Sequence, residues 1–281
     1  MDRMSIASIE HSPTWYHIHK LEVDSMKPHQ ANQAFWDAFV HWWQEREDQR
    51  GLWMKAHQDP SSVLSLVEIP FLKHIEGKEV CVLGSGDNEV ALALVGLSGR
   101  VTSVDLSERR LDIAANRARR LEHQLSFLQA DVTDLSVLAD NSFDLVYTGG
   151  YMSVWVSDIH MCYAEAVRIL KAGGLLVVNE YHPVRRIWLD GDGEQPCHCH
   201  FNRGPYQYTP DEGLPTFEYH WTVADHNQVV VDAGCVIVQV EEHDQQIEDE
   251  FWREADLHKL PANLMVAGQK RLLNQRPGKI A

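Results

Sequence analysis

The chain has 281 residues, of which 44% are hydrophobic, and its formal net charge is −16 at pH 7. This length and composition are typical of a globular protein with a sizeable core, whereas the negative charge disfavours nucleic acid, whose phosphates are bound by clustered Lys and Arg. The sequence has no run of about 18 apolar residues and no N-terminal signal segment, so we expect a soluble, cytoplasmic protein without a membrane anchor.

The first 72 residues predict a helical N-terminal cap. Residues 30–57 have a helical pattern and are rich in tryptophan, and Trp36 and Trp43 lie seven positions apart on one helical face. That spacing is compatible with two interpretations. The two side chains contact a substrate as part of a lid, or they dock the helix against the core, and docking is favoured.

Residues 73–271 predict one α/β domain. Between residues 78 and 180, short apolar runs alternate with helical patterns, and this alternation indicates a parallel sheet covered by helices on both faces. Ser107 and Asp158 are suitable N-caps for two of the helices, and Gly173-Gly174 predicts a turn before the fifth strand. The predicted strands are Glu79–Leu83, Arg100–Asp105, Leu125–Ala130, Phe143–Tyr147 and Leu175–Glu180.

An insertion follows the fifth strand. Residues 183–219 are rich in Gly, Pro, His and Tyr without clear periodicity, and they predict a lid. The next segment predicts a helix that begins after a Thr222 N-cap and ends at Gly234, although the run Val229–Val231 would also suit a strand.

Two further apolar runs, near Cys235–Glu241 and Asn263–Lys270, predict strands that close the sheet. Residues 272–281 form a polar tail that we expect to be disordered. The predicted organisation is therefore a cap, one sheet domain with a lid, and a tail.

Glycines and carboxylates follow successive predicted strands. The first strand leads into Gly84-Ser85-Gly86-Asp87-Asn88, the second ends in Asp105, and Asp131 follows the third. Ligands of open parallel sheets bind beyond these strand ends, where a carboxylate can accept hydrogen bonds from ribose hydroxyls or an adenine amino group. The alternatives are that Asp105 caps the next helix, that Asp131 belongs to a turn, and that Thr148-Gly149-Gly150 is only a flexible loop.

These motifs resemble the class I S-adenosylmethionine-dependent methyltransferases, especially the small-molecule branch typified by ubiquinone biosynthesis. The resemblance is carried by residues 82–88, 104–107, 129–132, 141–146 and 168–175. It implies a doubly wound, Rossmann-like sheet of seven mostly parallel strands, with the last strand antiparallel. It also implies that S-adenosylmethionine is bound and that its methyl group passes to a small-molecule acceptor.

By the same resemblance, Gly84 and Gly86 flank the methionine moiety, Asp105 binds the ribose, and Asp131 with Val132 binds the adenine. The full set of implied cofactor residues is Leu83, Gly84, Ser85, Gly86, Asp87, Asn88, Asp105, Leu106, Ala130, Asp131, Val132, Thr148 and Gly149.

The first loop departs from the family pattern at two positions. Val82 stands where an acidic residue is usual, and Asn88 stands where a third glycine is usual. Asp87 is a candidate to bind the ligand's ammonium instead. These departures keep open a second hypothesis, a protein of the same fold that binds S-adenosylmethionine but has weakened catalysis.

A nicotinamide-dependent oxidoreductase is a third hypothesis, because Gly84-x-Gly86 followed by Asp105 also begins a dinucleotide-binding fingerprint. In that fingerprint the third glycine would stand at position 89, which is Glu. Asp87 and Glu89 would place negative charge where a pyrophosphate binds the helix N-terminus, so this hypothesis is disfavoured.

Tyr151 and His182, which follow the fourth and fifth strands, are the candidate catalytic residues. Histidine titrates near neutral pH and suits a general base, although a structural histidine beside Pro183 is an equally good interpretation. Arg186, together with Arg185, is a candidate to bind an acidic substrate, or it pairs with a local carboxylate.

No metal site is expected. In an extended chain, Cys197-His198-Cys199-His200 would place thiols on one face and imidazoles on the other, so the four side chains would not converge on one ion without a tight turn. The alternative is that Cys235 or a remote histidine completes the coordination sphere of a zinc ion. The chain has 5 cysteines, an odd number, and we expect reduced thiols rather than a disulfide framework.

Overall fold

The structure is a computed structural model that describes residues 26–86, 89–188, 195–209, 213–244 and 259–272. The predictions for Asp87, Asn88 and residues 273–281 therefore concern positions outside the described residues. None of the helices in these ranges combines the length and apolar content needed to cross a bilayer.

A seven-stranded sheet forms the centre of the molecule, in the order β3-β2-β1-β4-β5-β9-β8. The first five strands are parallel, and β9 is antiparallel to both of its neighbours. This confirms the predicted doubly wound sheet with an antiparallel last strand. The strands are β1 Glu79–Leu83, β2 Arg100–Asp105, β3 Ser126–Gln129, β4 Phe143–Gly149, β5 Leu170–Tyr181, β8 Cys235–His243 and β9 Asn263–Lys270, with a separate hairpin of β6 Tyr206–Tyr208 and β7 Thr216–Glu218.

Three of the helices begin at a residue whose side chain caps the first turn. Ser107, Asp158 and Thr222 each accept a hydrogen bond from a backbone N–H in the first turn of the following helix, as predicted. The segment after Thr222 is a helix and not a strand. The helices are α1 Pro28–Arg50, α2 Leu52–Lys55, α3 Ile69–Leu72, α4 Glu89–Gly96, α5 Glu108–Arg120, α6 Ile159–Ile169 and α7 Val223–Asp232, with 3₁₀ turns at Pro60–Ser62, Met152–Trp155 and Pro183–Trp188.

Side chains alternate along the strands and so divide the core between two faces of the sheet. Val82, Tyr147 and Val177 are neighbours across β1, β4 and β5, and they pack on the face that α4 covers. The intervening side chains, such as Leu83 and Val178, pack on the opposite face with α6. This division decides which side chains at the strand ends face a common site.

Three boundaries differ from the sequence predictions. Gly173, expected in a turn, lies inside β5, where it adopts a φ of 79° and allows the strand to bulge against β4. Strand β4 continues to Gly149, so Thr148 belongs to the strand and not to a loop. The N-terminal helix ends early, because Gly51 takes a φ of 66° and its N–H binds the carbonyl of Glu47.

Candidate functional site

A cleft of about 460 Å³ lies at the carboxyl ends of the parallel strands. The order in which strands are added to the sheet reverses at β1, because β2 lies on one side of β1 and β4 on the other. Its volume falls in the range of about 300–1,000 Å³ typical of small-molecule sites. The sequence-predicted site residues that line it are Gly84, Ser85, Gly86, Asp105, Leu106, Asp131, Val132, Gly149, Tyr151, Trp36 and Trp43.

The loop after β1 turns back on itself beside the cleft. Gly84 and Gly86 have φ angles of 61° and 49°, which glycine adopts without strain. A Cβ atom on Gly84 would lie 2.2 Å from Cγ of Met152. The backbone at Gly84 therefore passes so close to the 3₁₀ turn after β4 that a side chain would not fit.

Asp105 ties this loop to the end of β2. Its Oδ2 accepts a hydrogen bond from the N–H of Gly86 at 2.8 Å, and its Oδ1 accepts one from the N–H of Ser107 at 2.9 Å. The cap of α5 is Ser107 itself, whose hydroxyl binds the N–H of Arg110. A carboxylate has about four acceptor sites, so Asp105 can hold the loop and still accept bonds from a ligand in the cleft.

Asp131 occupies the corresponding position after β3. Its Oδ1 accepts hydrogen bonds from the backbone and side chain of Thr133, and its Oδ2 lies 2.5 Å from Nδ1 of His29. Partial burial by itself would raise the pKa of Asp131, but the hydrogen bonds from His29 and Thr133 outweigh it and keep that pKa below its ordinary value. Asp131 is therefore an ionised acceptor on the cleft wall.

Three predicted cofactor residues are outside the described lining of the cleft. Leu83 and Thr148 are fully buried, and their position in the strands directs their side chains to the face opposite Val82 and Tyr147. The hydroxyl of Thr148 lies 3.4 Å from Glu180 Oε1. Ala130 packs against the core on that same opposite face. Strand alternation thus keeps the side chains of Leu83 and Thr148 out of the cleft, and packing against the core does so for Ala130.

His182 and Arg186 are also held away from the cleft wall. Nε2 of His182 lies 2.7 Å from Glu242, and its Nδ1 accepts the N–H of Val184. Arg186 is buried and pairs with Glu218 at 2.9 Å. The structure thus gives both side chains local partners, in agreement with the structural interpretations of these residues.

Tyr151 does line the cleft, at the point where the chain leaves β4 with a φ of 67°. Burial, together with the nearby Glu180 carboxyl, raises the pKa of the Tyr151 phenol. The hydroxyl therefore stays protonated near neutral pH and can act as a hydrogen-bond donor in the cleft.

The N-terminal helix α1 closes one side of the cleft with aromatic side chains. The ring centroid of Trp36 lies 5.8 Å from that of Trp43 and 5.2 Å from that of Trp155. The guanidinium of Arg110, on α5, lies 4.6 Å from the Trp36 ring centroid, within cation–π range. These contacts hold α1 against the side of the cleft that contains Asp105.

The cleft also contains residues that the sequence analysis did not single out. Tyr147 donates a hydrogen bond to Glu68 Oε1 at 2.7 Å, and Glu68 Oε2 accepts hydrogen bonds from the backbone and side chain of Ser65. Asn179 and Asn263 lie beside them at the ends of β5 and β9. No spacing signal links Glu68 to Tyr147, which are 79 residues apart, and a tyrosine in an apolar strand is indistinguishable from a core residue.

Negative charge predominates among the described residues of the cleft wall. The carboxylates are Glu47, Glu68, Glu89, Asp105 and Asp131, and the arginines are Arg50 and Arg110. Arg50 forms an ion pair with Glu47. Such a surface attracts cationic ligands and repels phosphates. Glu89, in the first turn of α4, stands where a dinucleotide-binding fold would bind pyrophosphate.

The donor set of the cleft suits S-adenosylmethionine better than a dinucleotide. Asp105 and Asp131 are acceptors for hydroxyl and amino groups, the Gly84–Gly86 turn leaves room for close approach, and the carboxylates suit a ligand with an ammonium and a sulfonium. Within the described ranges, no three side chains of His, Cys, Asp or Glu are arranged to hold a metal ion.

A protein family described as "Methyltransferase domain" matches residues 81–178 of this chain. The match begins within β1 and ends within β5, so it contains the ends of the first four strands, which surround the cleft.

Two curated relatives illustrate the similarity in sequence. The uncharacterized methyltransferase YbaJ of Bacillus subtilis is 31% identical over 175 residues, which cover 58% of this chain and 68% of that protein. The ubiquinone/menaquinone biosynthesis C-methyltransferase UbiE of Rhizobium meliloti is 36% identical over 120 residues, which cover 41% of this chain and 46% of that protein. The matched part of the chain therefore spans less than half of the second relative.

Solved structures share the fold at lower identity. An S-adenosylmethionine-dependent methyltransferase from Mesorhizobium loti superimposes with a TM-score of 0.53 and 21% identity, covering 73% of this chain and 99% of that one. The magnesium protoporphyrin IX methyltransferase of Synechocystis PCC 6803, solved with bound SAH, gives a TM-score of 0.58 with 13% identity, and covers 87% and 100%.

Proposed function

The chain belongs to the class I S-adenosylmethionine-dependent methyltransferases, and from that premise we propose that it transfers the methyl group of S-adenosylmethionine to a small molecule bound in the same cleft. One observation carries the proposal. The loop after β1, Asp105 at the end of β2 and Asp131 after β3 line a single cavity, although 47 positions separate Gly84 from Asp131.

The proposed assignments follow that geometry. Gly84, Ser85 and Gly86 flank the methionine moiety, Asp105 binds the ribose hydroxyls, and Asp131 with Val132 binds the adenine. S-adenosylmethionine supplies a methyl group that is already activated by its bond to a positively charged sulfur. The protein's part is to align the acceptor with that methyl group and to exclude water, because orientation alone provides a large share of the acceleration in such a reaction.

We assign the exclusion of water to the N-terminal cap, residues 1–72, and to the lid, residues 183–219. The lid is an insertion in the methyltransferase domain, residues 73–271, and residues 272–281 form the tail. Two hydrogen bonds between α1 and β7 support this assignment. The side chain of Asn32 donates to the carbonyl of Phe217 at 2.9 Å and accepts from its N–H at 2.8 Å. Trp36 and Trp43 would then form the inner surface of the lid.

The acceptor is a small molecule on two grounds. The cleft volume of about 460 Å³ must hold both reactants, and the net charge of −16 opposes nucleic acid. The named relatives in ubiquinone and menaquinone biosynthesis and demethylmenaquinone methylation make a ring compound a reasonable first acceptor to test. Tyr151 is the predicted catalytic residue that remains on the cleft wall, as a hydrogen-bond donor.

Calorimetry with S-adenosylhomocysteine tests the proposal. We expect Asp105→Ala and Asp131→Ala each to weaken binding about tenfold, in line with the loss of roughly 1.5 kcal/mol for a hydrogen bond to a charged group. Asp112→Ala, an exposed position on α5, is the matched control. Unchanged affinity in the double variant would overturn the cofactor assignment.

A turnover assay separates the enzyme from a protein of the same fold that only binds the cofactor. Binding of S-adenosylhomocysteine without methyl transfer to any member of an acceptor panel would favour the second hypothesis. Methyl transfer that is lost with Asp105→Ala would establish the enzyme.

A further inference from the structure

The end of the cleft beyond β4, β5 and β9 carries polar side chains that the assignments for S-adenosylmethionine do not use. Tyr147, Asn179 and Asn263 come from these three neighbouring strands, and all three line the cleft. Gly149, Asn179 and Met265 are paired across the strands, so Tyr147, Asn179 and Asn263 lie on the same face of the sheet by the two-residue alternation. We call these three residues with Glu68 the strand-end polar group.

Glu68 fixes the direction of the hydrogen bond that Tyr147 makes. The carboxyl is 1% exposed and accepts from the Ser65 N–H, the Ser65 hydroxyl and the Tyr147 hydroxyl at 2.7, 2.5 and 2.7 Å. In the last of these bonds Tyr147 is the donor. The proton of Tyr147 therefore points to Glu68. The side chain of Asn179 faces one lone pair of the Tyr147 oxygen, and the second lone pair remains as an acceptor.

Asn263 offers a second acceptor in the cleft. Its side chain is 8% exposed, and its Oδ1 atom is buried with no hydrogen-bond partner among the described residues. An unsatisfied buried acceptor costs roughly 1–3 kcal/mol, so a ligand that donates a hydrogen bond at this point would be favoured.

The cationic side chains near this end of the cleft are paired or held neutral within the described ranges. Arg50 lines the cleft but forms an ion pair with Glu47. The Nε2 atom of His243 lies 3.2 Å from Asn179 Oδ1, and burial lowers the pKa of His243. Arg185 and Arg186, the nearest candidates from the sequence, are absent from the cleft lining. Arg185 donates to the carbonyls of Leu260 and Pro261, and Arg186 is paired with Glu218. A carboxylate or phosphate on the acceptor would therefore face Glu68 without a compensating cation.

Building on the proposed function, we propose that the methyl acceptor is an uncharged or cationic molecule whose reactive group carries an O–H or N–H, and that Tyr147, backed by Glu68, removes that proton. The strand-end polar group would hold the donor between Tyr147 and Asn263. Anionic acceptors would be excluded by the same carboxylate.

The proton transfer balances in charge. Tyr147 passes its own proton to Glu68 and takes the proton of the acceptor, whose lone pair forms the new bond to the methyl carbon while the electrons of the broken carbon–sulfur bond stay on sulfur. One sulfonium charge and one carboxylate charge disappear, so no net charge is created in the cleft. With a ring hydroxyl, the same proton removal would also activate a neighbouring ring carbon. After that carbon takes the methyl group, it would lose its own hydrogen as a proton, and a proton would return to the ring oxygen to restore the hydroxyl.

Glu68 is necessary because Tyr147 is a poor base alone. Burial, followed by the proximity of Glu68, raises the pKa of Tyr147 far above its ordinary value, so a free phenolate does not form. A concerted shift of two protons avoids that phenolate. Tyr147 is thus the catalytic residue of the pair. Glu68 orients the hydroxyl of Tyr147 and receives its proton.

The acceptor class can be tested with a deproteinised small-molecule extract of cells. The protein is incubated with the extract and S-adenosylmethionine that carries a trideuterated methyl group, and labelled products are identified by mass spectrometry. Products methylated on O, on N, or on a ring carbon beside a hydroxyl support the proposal. Methylated carboxylates, phosphates or thioethers overturn it.

An absence of labelled product, with S-adenosylhomocysteine still bound in calorimetry, contradicts the proposed methyl transfer itself and this inference with it. Loss of S-adenosylhomocysteine binding contradicts the cofactor assignment. The two failures are thereby distinguished.

The proton path is tested with Tyr147→Phe and Glu68→Gln on the acceptor so identified, with Glu76→Gln at an exposed position as the matched control. We expect kcat to fall about 10²-fold, the lower end for general-base catalysis. The Kd of S-adenosylhomocysteine should stay within about twofold, because the proposed assignments place that ligand on Gly84, Asp105 and Asp131 and not on the strand-end polar group. Glutamine still accepts a hydrogen bond but cannot take a proton, so a purely structural role for Glu68 would leave kcat unchanged.

Calorimetric binding of the acceptor to the S-adenosylhomocysteine complex gives a readout besides turnover. Asn263→Ala should weaken acceptor binding about tenfold, as expected for one lost hydrogen bond of about 1.4 kcal/mol. Should Glu68→Gln fail to fold, Tyr147→Phe carries the test, because it removes only one oxygen. An unchanged kcat in Tyr147→Phe would overturn the proton path.

Discussion

His29 connects Asp131 to the turn that follows β4. Its Nδ1 lies 2.5 Å from Oδ2 of Asp131, and its Nε2 accepts the N–H of Ser157 at 2.9 Å. Because Nε2 is an acceptor, the proton of the neutral ring is on Nδ1 and is donated to Asp131. One side chain of α1 therefore ties this helix to two edges of the cleft.

We predict that His29→Ala speeds the dissociation of S-adenosylhomocysteine and weakens its binding about tenfold, because a hydrogen bond to a carboxylate contributes roughly 1.5 kcal/mol and α1 loses its attachment over the cleft. Stopped-flow dissociation and calorimetry give the two quantities. His41→Ala, at an exposed position of the same helix, should behave as the unaltered protein. Equal dissociation rates for both variants would show that α1 does not retain the ligand.

The two glycines at the ends of β1 and β4 provide a matched pair of substitutions. Gly84 and Gly150 have φ angles of 61° and 66°, but a Cβ on Gly84 would lie 2.2 Å from Met152 whereas one on Gly150 would meet nothing within 4 Å. Gly150→Ala should cost about 1 kcal/mol, the strain of the left-handed backbone alone. Gly84→Ala should cost at least ~1 kcal/mol more.

Gly84→Ala should also weaken S-adenosylhomocysteine binding, because Met152 lines the cleft and would be displaced. Urea unfolding and calorimetry on both variants are the measurements. Equal free energies of unfolding would mean that the close contact at Gly84 is not tight in solution.

The pair of Arg186 and Glu218 should contribute to stability and not to ligand binding. Burial by itself would raise the pKa of Glu218, but Arg186 and His220 reverse that effect and lower it. Arg186→Met should therefore destabilise the fold by about 3–5 kcal/mol, since it leaves a buried carboxylate without its cation.

The double substitution Arg186→Met with Glu218→Met should recover most of that loss, because it removes both buried charges. Urea unfolding measures the free energies. Affinity for S-adenosylhomocysteine should be the same in all three proteins. If Arg186→Met lost ligand or acceptor binding without losing stability, the result would support the alternative prediction that Arg186 binds an acidic substrate.

The sequence was sufficient to predict the sheet and one half of the cleft, because both depend on local patterns. The short apolar runs set the parallel strands, and their order brings Gly84, Asp105 and Asp131 to one edge. The motifs also predict Leu83 and Thr148 as site residues, because both adjoin them in the sequence. Strand alternation turns their side chains to the other face of the sheet. A sequence motif of consecutive residues does not indicate which of its side chains face the cleft.

The other half depends on contacts that sequence spacing does not reveal. Glu68 meets Tyr147 only because the segment before β1 packs over the end of β4, and His29 reaches Asp131 from α1, 102 residues away. Helix α1 ends at Arg50 because Gly51 adopts a left-handed backbone conformation. Such pairings are set by tertiary packing, so a single sequence predicts the residue types but not the partners.

Glu180, at the end of β5, is a buried acid on the face opposite the cleft. Burial raises its pKa to about 7, although hydrogen bonds from Ser153 and Thr148 and the charge of Arg186 partly offset that effect. The unfolded glutamate titrates near its ordinary value of 4.5. Between these two values the folded chain holds a proton that the unfolded chain has released, so stability falls as the pH rises through this window and is level above it.

We therefore predict that Glu180→Gln, which stays neutral at every pH, removes this dependence. Near pH 8 the variant should be more stable than the unaltered protein by about 3 kcal/mol, because each pKa unit corresponds to about 1.4 kcal/mol, and the difference should become small near pH 4.5. Urea unfolding at closely spaced pH values measures it, with Glu76→Gln as the exposed control. If the stabilities of the unaltered protein and of Glu180→Gln changed in parallel from pH 5 to 8, Glu180 would be ionised in the folded protein. The hydrogen bond from the Ser153 N–H would then have to stabilise its charge.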